Sequence, residues 1–275
     1  MKLSRRTTLK AAAGLAALFV GLRRAQAADL LQGRITQGAL LRGRTDPAAS
    51  VVVDGKPVRL SPEGRFAFGL AYDRKEPALL SVSVPGAPPL EQSLTPAPRE
   101  YRIQRIDGLP EKFVDPPKEV LDRIARENAL VDAARARDTE ASWFADEFVW
   151  PVKGPLTGVY GSQRILNGVP KRPHFGLDIA AGEGKPIVAP VGAVVALAEP
   201  DLYFTGGTVI LDHGHGVSSS YLHMSRIDVK PGDTVRQGDV IGAIGKTGRA
   251  TGPHLCLRLN WFQVRLDPGL VLPVP

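Results

Sequence analysis

A mainly β fold, in two units joined by a helical linker, is what this 275-residue sequence predicts. Three observations carry that expectation. Short runs of β-branched and aromatic residues fill residues 28–108, with a turn dipeptide between two of them. One stretch near the middle has helical periodicity instead. After Phe148 the chain returns to short apolar segments cut by glycine and proline, with no helical pattern between them.

The elements follow in order. Residues 1–27 hold Lys2, Arg5, Arg6, Lys10, Arg23 and Arg24 and no acid, so they carry six of the seven net positive charges. An apolar run, Ala11 to Leu22, precedes Ala25-Gln26-Ala27, the small-x-small pattern at which signal peptidases cut. Ser4-Arg5-Arg6-Thr7-Thr8-Leu9-Lys10 resembles a twin-arginine export signal, with Thr8 where a bulky apolar residue is usual. The expected mature chain starts at Ala28, lies outside the cytoplasm in the periplasm or cell envelope, and has no stable membrane span, the apolar run being short. Without the first 27 residues the net charge is about +1, which is no balance for nucleic acid.

Residues 28–108 predict a small immunoglobulin-like β-sandwich. Val51-Val52-Val53, Asp54-Gly55 and then Val58 and Leu60 read as a hairpin, Phe66 and Phe68 alternate with Ala67, and Leu79 to Val84 is a further strand. The proline-rich stretch Pro85–Pro98 closes it. The linker, 109–147, predicts a helix from Asp115 to about Glu140, with Pro116 and Pro117 in its first turn and an apolar stripe of Val120, Leu121, Ile124, Val131 and Ala134. Residues 148–275 predict an antiparallel β domain.

All five histidines fall in that last domain. His174 and Asp178, four apart around a glycine, can converge on one ion, since imidazole nitrogen and carboxylate oxygen are ordinary zinc ligands. His223 sits in a β-like run after Tyr221. His254 and Cys256 alternate on one strand face, away from Leu255 and Leu257. Cys256 is the sole cysteine, so no internal disulfide forms, and an exported thiol is safest when buried or bound to metal. Asp212-His213-Gly214-His215-Gly216 suits a tight loop joining two strands. Gly245-Lys246-Thr247 imitates the end of a phosphate loop, but Val240 stands where the first glycine belongs.

In order along the chain come P-H-F-G-L-D-I-A-A, V-A-P-V-G-A-V, D-H-G-H-G, Y-L-H-M-S, V-K-P-G-D-T-V-R-Q-G and G-K-T-G-R-A-T-G-P-H-L. This series resembles the lysostaphin-type (LytM-domain) zinc metallopeptidases, from about Trp150 to Pro268. The resemblance implies a C-terminal metallopeptidase domain with one Zn²⁺, acting on the peptide bridges of bacterial peptidoglycan. It implies His174 and Asp178 as metal ligands and His223 and His254 as catalytic residues. The third ligand position, histidine in the family, falls on Cys256. Tyr221, Asn167 and His215 are the expected substrate-binding groove wall. Degenerate members of the family bind the wall or activate a cell-wall amidase, which makes such an amidase the alternative partner.

Overall fold

The computed structural model describes residues 30–274, so the expected export signal lies outside the described residues. Among the described residues no helix is long and apolar enough to cross a membrane.

The first unit is a two-sheet sandwich. Leu31–Gln32, Leu40–Arg44 and Arg65–Gly69 form one antiparallel sheet; Lys56–Val58, Ser50–Val53, Ala78–Ser83 and Leu90–Leu94 form the other. Asp54-Gly55 turns the Val51↔Val58 hairpin, both residues in left-handed conformation, as a tight hairpin turn requires. Alternation sends Leu41, Val51, Val53, Phe66, Phe68, Leu80 and Val82 into one core. Each fully buried apolar side chain of this size stabilises by about 1.5–3 kcal/mol.

The strand Arg65–Gly69 also has its other face covered. Ala67 and Leu40 belong to the core of the second unit. A Cβ on Gly69 would stand 2.9 Å from the Leu266 side chain and 3.1 Å from that of Trp261, so only glycine lets the two units approach this closely. Arg99–Asp267 at 2.8 Å and the Asp267 N–H to the Gly38 carbonyl at 2.8 Å pin the same junction.

The second unit is built on an antiparallel sheet. Its order is Thr234–Val235, Ala193–Leu202, Gly206–Gly214, Val217–Met224, His254–Trp261, Leu177–Ala180 and Leu156–Gly158, with Val264–Leu266 also beside His254–Trp261. A small sheet of Pro186–Val188, Val240–Ala243 and Arg226–Ile227 packs over it, and Ile187, Ile241, Val209, Leu255 and Leu257 fill the space between.

Two expectations are corrected. Ile103–Ile106, expected inside the first unit, pairs with Gln163–Leu166 of the second, and in parallel rather than antiparallel sense. A run as short as Ile-Gln-Arg-Ile carries no signal of its partner. The helix is shorter than expected, Lys118–Arg135. Val131 and Ala134 do pack, against Leu197, Leu202 and Ile210, but Leu121 is 48% exposed, because the helix touches the sheet mainly by its C-terminal half.

Candidate active site

Register creates the site. Asp178 and Cys256 are direct cross-strand partners, so their side chains leave the sheet side by side. Gly158 faces Asp178 from the other flank, and its missing side chain makes room for the carboxylate. His174 arrives from the preceding loop, fixed by backbone bonds with Ser162 and Gly161. His174 Nε2 stands 3.3 Å from Cys256 Sγ and 3.2 Å from Asp178 Oδ1. One donor atom from each residue lies within 4.8 Å of the others, and all three residues are buried.

The electrostatics fit a cation. Asp178 Oδ1 is buried with no hydrogen-bond partner among the described residues. Oδ2 accepts from an Arg164 nitrogen at 2.9 Å. Burial pushes the Asp178 carboxyl up, but the close approach of His174 Nε2 and the Arg164 charge outweigh it and hold it well below the usual range. Burial, then the Asp178 charge, pushes the Cys256 thiol up to about 12. Zinc donors at about 2.0–2.3 Å in a tetrahedron stand about 3.3–3.6 Å apart. The observed 3.2 and 3.3 Å separations suit that ion, as does the imidazole, carboxylate and sulfur donor set.

Two imidazoles flank these donors, their rings 4.7 Å apart. His223 Nδ1 lies 2.8 Å from the Thr247 carbonyl and His254 Nδ1 2.8 Å from that of Gly252. A carbonyl only accepts, so each Nδ1 carries a proton, and a neutral ring then keeps its lone pair on Nε2, an assignment made from the partners. His254 Nε2 is 3.8 Å from Asp178 Oδ1. Burial, then the His254 charge, pushes His223 down to about 3. Its backbone is left-handed (φ 67°), held by a bond from its N–H to the Thr205 carbonyl at 2.8 Å.

A groove of about 300 Å³ exposes Asp178, His223 and His254. One wall is Arg249–Pro253. The opposite wall is Gln104, Ile106, Leu109, Thr157, Arg164 and Leu166, much of it from the linker strand and its partner. Sequence reasoning missed Arg164 and this linker wall: no motif marks either.

None of the three expected groove-wall residues lines this groove. Tyr221 is fully buried, its hydroxyl 2.8 Å from Ser219 Oγ, because it points to the inner face of its strand. Ser219 Oγ in turn lies 2.7 Å from His213 Nε2, and His213 Nδ1 2.9 Å from the Gly192 carbonyl, so the first histidine of the loop motif is a core residue. His215 packs on Phe144 at the junction with the first unit, beside Arg59 and Glu140. Asn167 spends its amide on the backbone of Leu109, accepting at 3.1 Å and donating at 2.8 Å, and so holds the groove wall from behind.

The fold is thus a β-sheet domain that brings a buried His–Asp–Cys donor set beside two imidazoles. The model of peptidase family M23 matches residues 172–268. A crystal structure from Pseudomonas aeruginosa assigned to peptidase M23 is similar with a TM-score of 0.68 at 31% identity, covering 86% of this chain and 95% of that one. The Vibrio cholerae peptidoglycan DD-endopeptidase ShyA is 43% identical over 94 residues, 34% of this chain and 22% of that protein. The Caulobacter vibrioides cell division protein DipM is 27% identical over 231 residues, 80% of this chain and 35% of that protein. This chain belongs to the M23 peptidase family, whose lysostaphin-type resemblance its motifs already showed. It matches about a third or less of the length of those two curated relatives.

Proposed function

We propose that this chain is a zinc-dependent endopeptidase of the cell envelope that hydrolyses peptide cross-links of peptidoglycan, with His174, Asp178 and Cys256 as its metal ligands. The observation that supports it most is the meeting of those three donors beside the imidazoles of His223 and His254, with Asp178 and both imidazoles lining one groove. The name of the ShyA relative supports the substrate class. When bound, the ion supplies Lewis acidity toward a carbonyl oxygen and lowers the pKa of a water.

The chain's own residues do the rest. His223 and His254 present unprotonated Nε2 atoms, so one accepts the proton of the attacking water. The other, once protonated, donates to the oxyanion or to the leaving amine. The carbonyls of Thr247 and Gly252 keep both rings in that tautomer. Arg164 holds Asp178 by its second oxygen, which orients the first toward His174 and Cys256.

Cys256 itself favours a second reading. A thiolate and a carboxylate together neutralise a divalent ion and weaken its Lewis acidity. A weakly active member that binds the wall, or activates an amidase, would keep the ligands and lose the cleavage. Bound zinc is measured in the purified chain and in Cys256→Ala, and muropeptides released from cross-linked peptidoglycan are separated. The proposal expects about one zinc in the first, much less in the second, and new muropeptides from the first. Equal zinc in both removes Cys256 as a ligand. Zinc without new muropeptides, together with cleavage gained by Cys256→His, leaves only the second reading.

A further inference from the structure

On the helix side of the sheet, beneath Lys118–Arg135, lies a cavity of about 100 Å³ that shares no lining residue with the groove. Three guanidinium groups line it: Arg135 from the last turn of the helix, Arg258 two residues beyond Cys256, and Arg265 from the adjoining strand. Ser220 lines it as well. Arg135 is 4% exposed and Ser220 1%. Arg135 Nε, Arg258 Nε, one terminal nitrogen of Arg265 and Ser220 Oγ are all buried with no hydrogen-bond partner among the described residues.

The carboxylates nearby do not answer these charges. Glu127, which also lines the cavity, accepts from Arg123 Nε and from the Tyr203 N–H at 2.8 Å. Asp132 comes no nearer than 3.9 Å to Arg135, with 60% of its side chain exposed. The cations therefore repel one another. Burial, then Arg265 and Arg258, pushes Arg135 down to about 8; burial, then Arg258, pushes Arg265 down to about 10.

Buried cations with unmade hydrogen bonds are costly unless a counter-charge meets them. Water would satisfy the donors and leave the charge. A small anion satisfies both. The four free donors come from a helix and three different strands, so they approach from several sides, which suits a tetrahedral oxyanion better than a flat carboxylate. The space between the guanidinium groups is small, about 100 Å³, which suits a small ion.

We propose that this cavity binds one small tetrahedral oxyanion of the phosphate class, held by Arg135, Arg258, Arg265 and Ser220, and that the ion ties the linker helix to the sheet carrying Cys256. The site goes beyond the peptidase reading and does not depend on it.

The test is calorimetric titration of inorganic phosphate into the full chain, stripped of phosphate by dialysis and of metal by chelator. One saturable phosphate per chain is expected, with displacement by sulfate, none by acetate, and a raised melting temperature. Arg135→Met is expected to weaken binding by about tenfold or more, while Arg249→Met in the groove leaves it unchanged. Should Arg135→Met fail to fold, Ser220→Ala removes one neutral donor and is expected to weaken binding several-fold. No saturable uptake at millimolar phosphate overturns the site and leaves a water-filled cavity. So does uptake that Arg249→Met abolishes, or that both Arg135→Met and Ser220→Ala leave intact. Displacement by acetate, or by O-phosphoserine as readily as by sulfate, overturns the assignment to a free tetrahedral ion.

Discussion

Gly158→Ala is the smallest change that tests the site. Gly158 has an ordinary strand backbone, so alanine meets no conformational strain there. The obstacle is steric. The added Cβ would stand 2.2 Å from Asp178 Oδ2 and 2.8 Å from its Cγ. A relaxed carbon–oxygen contact is wider by about 1 Å, since non-bonded heavy atoms rest at about 3.5 Å. A free carboxylate would swing aside, but this one is held by Arg164 at 2.9 Å and His174 at 3.2 Å, on a strand paired on both edges. Overpacking of this kind costs about 1–3 kcal/mol, a fall of several degrees in melting temperature for a unit of this size. A ligand displaced by about 1 Å costs on the order of 100-fold in rate, and a disturbed ligand shell about 10–100-fold in metal affinity. Zinc affinity is read by chelator competition, stability by thermal melting, and rate by muropeptide release. Wild-type zinc affinity in a Gly158→Ala protein that is otherwise folded would refute the placement of Asp178 as a ligand.

Three further outcomes are expected. Arg164→Met leaves Asp178 buried without its cation, which destabilises the zinc-free protein by about 3–5 kcal/mol, and zinc recovers part of that loss; urea midpoints with and without zinc check it. Asn167→Ala removes two hydrogen bonds to Leu109 and costs about 1–2 kcal/mol, with KM rising more than kcat falls, because the groove wall loosens while the ligands stay. His213, buried and bonded to Gly192 and Ser219, is pushed down to about 4 by burial, against 6.5 when unfolded. The unfolded chain then binds more protons between those values. Its contribution is complete above about pH 6.5 and lost as pH falls toward 4, up to about 3 kcal/mol. Unfolding midpoints of His213→Asn between pH 7 and 4 should fall less steeply than those of the wild type; equal slopes count against it.

What was legible in the sequence, and what was not, divides along physical lines. Asp54-Gly55, the Phe66/Phe68 alternation and the glycine-cut β segments are local signals, and each lies where local chemistry put it. The donor set was expected from the ordered series of family-like motifs, since H-x-x-x-D alone is a common chance match, and the fold brings His174, Asp178 and Cys256 within 4.8 Å of one another. The place of Tyr221 was not legible, since a polar tip says nothing about which face of a strand it leaves from, and it turned inward; His215, in the turn between two strands, packs on Phe144 instead. Asn167 was expected in the groove wall; its amide is consumed by a backbone 58 residues away, a contact only tertiary structure supplies. The parallel pairing of Ile103–Ile106 with Gln163–Leu166 was hidden for the same reason.

That last pairing matters for more than topology. The family model matches residues 172–268, and every proposed ligand and imidazole lies inside that range. One wall of the groove does not. Gln104, Ile106 and Leu109 come from the linker, while Thr157, Arg164 and Leu166 precede the matched segment. The linker strand is joined to Gln163–Leu166 by main-chain bonds, and Asn167 fastens Leu109 to the same edge, so this wall is a fixed part of the site and not a tether passing by. The proposed ligands and imidazoles therefore lie in the segment that the family model matches, and one wall of the groove they face lies outside it. Exchanging residues 101–110 with another member's linker should change which cross-linked peptide is accepted while zinc content stays the same. An exchange that removes zinc instead would mean that this strand supports the ligands rather than the groove.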